Sequence, residues 1–130
     1  MTIEADVAQA LKNYPALDSI IGGRVYPNRA PANVAPPLVV YQRISTTFQL
    51  AMGDTIAAED SRIQLSMWAQ TDEVAAAGAA EVIQAVLGMG VDGTRHVKAH
   101  VIDTEDADWD ETANLHRRII DVILVSVAAA

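Results

Sequence analysis

The chain has 130 residues, 51% of them hydrophobic, no cysteine, and a formal net charge of −8 from 9 basic and 17 acidic residues. That is the length of one domain with a core of its own. Disulfides, thiolate metal sites and cysteine nucleophiles are excluded, and the acidic balance lacks the basic footprint of a protein that grips phosphate backbones.

The opening MTIEADVAQALKN places two acids before its first lysine, so no secretory leader is expected. The apolar runs are too short to span a bilayer, so no membrane partner is expected. Ile3, Val7, Leu11 and Tyr14 recur at helical spacing, with Thr2 as N-cap and Glu4 and Asp6 at the positive end of the dipole; together they predict a helix over 3–13. Pro15 opens a short second turn through Leu17 and Ile20, and Gly22-Gly23 stops it. Arg24-Val25-Tyr26 reads as a short strand ended by Pro27. Residues 27–37 hold four prolines (Pro27, Pro31, Pro36, Pro37), which predicts a partly extended loop. Leu38 to Thr47, rich in β-branched and aromatic residues, predicts a long strand. Residues 49–58 (QLAMGDTIAA) lack a period and break at Gly53-Asp54, as expected of a flexible hairpin tip carrying several apolar side chains.

From Arg62 to Gln70 the pattern alternates, with Ile63, Leu65, Met67 and Ala69 on one side and Arg62, Gln64, Ser66 and Trp68 on the other. Thr71 then caps a helix with Asp72 and Glu73 in its first turn. Its apolar stripe is Ala75, Ala79, Val82, Ile83 and Val86; small residues including Gly78 let it lie close to a sheet, and Gly88 ends it. Residues 95–103 read as a strand with Val97, Ala99 and Val101 on one side. An acidic stretch from Asp103 to Glu111 links it to a last strand over 115–127, which is apolar on both faces and therefore central. The expected fold is α+β over one domain, 1–130: a single antiparallel sheet of four long strands plus a short one, with two helices packed on one face.

The chemistry-bearing patterns fail their structural tests. Gly88, Gly90 and Gly93 spell G-x-G-x-x-G, but a helix precedes and a strand follows, the inverse of a dinucleotide site; a helix cap and turn is expected. Asp106, Asp108 and Asp110 begin like a calcium loop, yet Glu111 stands where glycine is needed and Arg117 where the bidentate glutamate belongs, leaving a solvated acidic turn. His96 and His100 share a strand face roughly 13 Å apart, too far for one metal at ~2 Å per bond, although His116 is placed to approach one of them across the hairpin. No nucleophile elbow, P-loop or H-E-x-x-H is present, and nothing singles out a carboxylate pair. No catalytic, cofactor-binding or metal-binding residue is therefore expected, and the chain is not expected to be an enzyme. Trp68 and Trp109, the two tryptophans, suit either an interface or the edge of the core.

Several stretches together resemble the phage tail completion family, the tail-to-head joining or tail terminator proteins of long-tailed phages, prophages and gene transfer agents. They are IGGRVYPNRAP (21–31), PPLVVYQRIS (36–45), RIQLSMWAQT (62–71) running into the Ala-rich helix, and HRRIIDVILVSV (116–127), with YPALDSIIGG closing the N-terminal helix. The resemblance covers nearly the whole chain in order; its departures are the 49–58 segment and the acidic hairpin. It implies a structural virion protein, made in the host cytoplasm, that forms a homo-oligomeric ring, commonly a hexamer. Such a ring caps the head-proximal end of the tail tube, with the tube protein and the head connector or neck protein as partners and DNA passing the lumen without specific binding. An acidic lumen wall would repel DNA, although the charge is equally explained by solubility. Interface residues expected on this reading are Arg24 and Tyr26 of the short strand, Pro31 of the proline loop, Leu50, Met52 and Ile56 of the tip, and the tryptophans Trp68 and Trp109. The alternatives are a head-side connector or neck protein and, in another class, a small acidic ligand-binding domain or hydrolase, which would need a cleft with convergent polar groups.

Overall fold

The computed structural model describes residues 3–50, 56–89, 95–110 and 115–128, with side chains described for 3–50, 58–89 and 115–126. The first helix, α1 (Ile3–Lys12), buries Ile3, Val7 and Leu11 on one stripe. The short turn expected after it is a full helix, α2 (Pro15–Ile21): Pro15 presets the first helical φ, and Gly22 adopts φ +58 and closes the end by donating its N–H to the Asp18 carbonyl. The third helix, α3 (Asp72–Leu87), starts as expected, with the Thr71 hydroxyl accepting from the Val74 N–H at 3.3 Å, and stops at Gly88.

The strands are β1 (Val25–Pro27), β2 (Leu38–Leu50), β3 (Ile56–Ala69), β4 (Arg95–Asp110) and β5 (Leu115–Ala128). They form one five-stranded sheet in the order β1-β2-β3-β5-β4. The α+β class is as expected, with two differences of detail. The described residues form three helices, and the sheet is mixed because β1 runs parallel to β2. The parallel pairing follows from the long connection: residues 28–37 carry the chain back alongside, which a two-residue turn cannot do. β5 lies inside the sheet between β3 and β4, in keeping with its two apolar faces.

Strand lengths differ more. Both ends of the 49–58 segment are ladder, since β2 continues to Leu50 and β3 begins at Ile56; residues 51–55 lie outside those described. The acidic stretch from Asp103 is strand as well, paired through Asp110 with β5. In both places a partner strand supplies backbone hydrogen bonds that outweigh weak local preference. The same register sets His116 opposite Trp109, while His96 and His100 face Val127 and Ile123, so the approach of His116 to either of them does not occur.

The helices cover one face of the sheet. Val39 and Tyr41 of β2, Ile63, Leu65 and Met67 of β3, and Ile120, Val122 and Leu124 of β5 meet Val7, Leu11, Leu17, Ile21, Val82 and Val86 in one core. Charged ties border it: Arg43 reaches Glu4 at 3.2 Å and Arg118 reaches both Asp72 oxygens at 3.0 and 3.1 Å. Burial, and then the charge of Glu4, hold the Tyr41 hydroxyl above its ordinary pKa of 10.0. The neutral phenol is thus favoured in the folded chain. Stability from this site is intact below about pH 10 and is lost as pH rises further, because the unfolded chain ionises first. Tyr41→Phe should remove that loss, which urea midpoints measured at pH 8 and 10.5 will show.

Candidate assembly interface

Among the described residues, the sheet's other face carries no helix. Near its β1 end, the loop after β1 folds over it and makes a groove of about 340 Å³. Arg24 sets the loop's exit: its Nε–H donates to the Pro37 carbonyl at 2.8 Å, and its own carbonyl accepts from Val39 N–H at 3.0 Å. At the entrance the Asn28 N–H donates to the Tyr41 carbonyl at 2.9 Å, with Asn28 in the left-handed region at φ 64. Val40 and Trp68 form much of the groove floor; Arg29, Ala30 and Val34 come from the loop. The Arg117 guanidinium carbon sits 5.1 Å from the Trp68 ring centroid, a cation–π contact that holds both side chains at the groove. No carboxylate lines it among the described residues.

The second surface lies at the opposite end of β2 and β3. A bulge between Arg43 and Ser45 bends the ribbon. Beyond it, among the described residues, β2 has no partner on its outer side, because β1 ends at Pro27, the register partner of Tyr41. Ile44, Phe48 and Leu50 are 48%, 52% and 63% exposed. Glu59 pairs in register with Phe48, and Asp60 accepts from Gln49 Nε2 at 3.1–3.2 Å. Large apolar side chains left in water at a strand edge mark an interaction site more often than a stable end.

The expected residues therefore fall in separate places. Trp68 sits in the groove, and Pro31 is exposed on the loop beside it. Arg24 serves the loop internally, and Tyr26 lies half-buried on the edge strand β1. Leu50 is on the projecting ribbon, with Ile56 as its backbone partner in β3. Met52 is outside the described residues, and Trp109 is placed only by register, opposite His116. Ile44, Phe48, Arg29 and Arg117 escaped the sequence reading. For Phe48 no local signal existed: two residues apart, Phe48 and Leu50 read in sequence as one apolar strand face. Among the described residues no group of three or more His, Asp or Glu converges as a metal site would require, and no helix is long and apolar enough to cross a membrane.

In fold the chain is similar to one in a solved structure described as the virion of a native gene transfer agent particle. The TM-score is 0.69 at 24% identity, over 98% of this chain and 95% of that one. No curated protein sequence matches it. Together with a family sequence model that matches residues 5–125, this defines the class as a structural protein of the virion tail. Within that class the chain belongs to the family of tail completion protein gp17, whose sequence model matches residues 5–125.

Proposed function

We propose that the protein closes the head-proximal end of a phage-type tail tube as a ring of identical copies, a hexamer on the family pattern, and presents the face to which the head connector joins. The observation that carries this is the projecting β2–β3 ribbon, with Ile44, Phe48 and Leu50 exposed on the part of β2 that β1 leaves unpaired among the described residues. Burying one such side chain is worth roughly 1.5–3 kcal/mol, and a ring repeats that gain at every junction. The protein acts through these surfaces and carries no reactive centre in this reading.

Replacing Phe48 and Leu50 together by serine should leave the fold intact, since neither side chain belongs to the core. Tails assembled with the double variant should lack a finished end and fail to join heads. Electron microscopy of tail length and head attachment checks this; tails of normal length that join heads would overturn the reading.

A further inference from the structure

We propose that the β2–β3 ribbon of one copy docks into the loop-covered groove of the next, making the groove the receiving half of a head-to-tail contact between copies of this chain. The inference deepens the ring reading and rests on it for its biological role. Three observations carry it. First, the two surfaces match in character. The ribbon offers Phe48 and Leu50 with Glu59 on the same face and Asp60 on the other, whereas the groove offers Val40, Val34 and Trp68 flanked by Arg29, with Arg117 held over Trp68 and no carboxylate in its described lining. Apolar contact with complementary rim charge favours correct docking and disfavours ribbon-to-ribbon and groove-to-groove encounters.

Second, the contact cannot form within one molecule. Groove and ribbon end lie on the same two strands, and the eight residues from Gln42 to Leu50 separate them by roughly 26 Å at ~3.3 Å per residue. A paired ribbon cannot fold back over its own sheet across that length. Third, the surfaces are different patches, so each copy gives one and receives one, and the contact propagates from copy to copy until rotation closes it.

The absence of native cysteine allows a clean test. Two single variants of the full chain, Leu50→Cys and Ala30→Cys, are mixed under mild oxidation. The expected product is a covalent dimer containing one of each. It should form much faster than dimers of either variant alone, or of Leu50→Cys with Ala77→Cys, an exposed position on α3. Reversing Arg29→Glu and Arg117→Glu in the Ala30→Cys copy should slow the cross-link at least about tenfold, and Glu59→Arg with Asp60→Arg in its partner should restore it. Circular dichroism of each variant confirms the fold. No cross-link, or equal cross-linking to the α3 control, overturns the docking however these chains behave in tails. A specific cross-link combined with normal tails from the Phe48, Leu50 double variant keeps the docking and removes the ring-cap reading.

Discussion

Replacing Leu65 by alanine should lower the unfolding free energy by about 3 kcal/mol, within the 2–5 kcal/mol usual for a buried leucine. Leu65 is fully buried on β3, in the middle of the sheet, with Tyr41 as its register partner on β2 and Ile120 on β5. Its side chain points at the helix layer, where the core cluster closes over it. Neither flanking strand can shift inward without breaking ladder bonds on its other side, so the space left by truncation stays largely open and the cavity term adds to the lost transfer energy. For a fold holding roughly 5–15 kcal/mol in all, that is a large fraction, and the melting temperature should fall by roughly 10 °C. A urea titration with unchanged slope and a lower midpoint is the expected record. A change under 1 kcal/mol would show that the β3 centre is not the packed core described above.

Gly78→Ala should also destabilise, by about 2 kcal/mol net, although alanine is the better helix former by about 1 kcal/mol. The reason is the close approach of α3 to the sheet. A methyl on Gly78 would stand 2.3 Å from Met67 Cε, 2.7 Å from its Sδ and 3.0 Å from its Cγ. Methionine ends bend easily, but Met67 is fully buried and the overlap reaches its Cγ, so the collision cannot be relieved by turning the terminal methyl alone. Met67→Ala removes the obstacle at the cost of a cavity, and the Gly78 methyl partly fills it. The double variant should therefore be more stable than the sum of the single changes predicts, by 1 kcal/mol or more. Strict additivity of the two changes in chemical denaturation would contradict the contact.

Features written into neighbouring residues were legible in the chain. Thr71 followed by two acids announced the start of α3, and Gly88 its end; the alternation from Arg62 to Gln70 identified the β3 face that meets the helices, and the doubly apolar 115–127 segment its place inside the sheet. Each depends on a cap, a period or a backbone preference that acts over a few residues. The likeness of Gly23–Pro27 and Pro36–Ser45 to the tail completion family was legible for a related reason: the residues that carry it stand close together in the chain.

What the tertiary structure alone decided is where the strands stop, which way β1 runs, and which side chains are left in water. Glu59 and Asp60, poor strand formers, are in β3 because β2 and β5 both bond to that backbone. Phe48 and Leu50 resemble core residues in sequence, yet both are exposed, on the stretch of β2 past the bulge at Arg43 and Ser45 and outside the core cluster. The groove exists only where the 28–36 loop meets Trp68 and Arg117, residues far apart in the chain. Ladder extent, bulge position and loop docking are set by partners distant in sequence, and a local pattern carries no information about them.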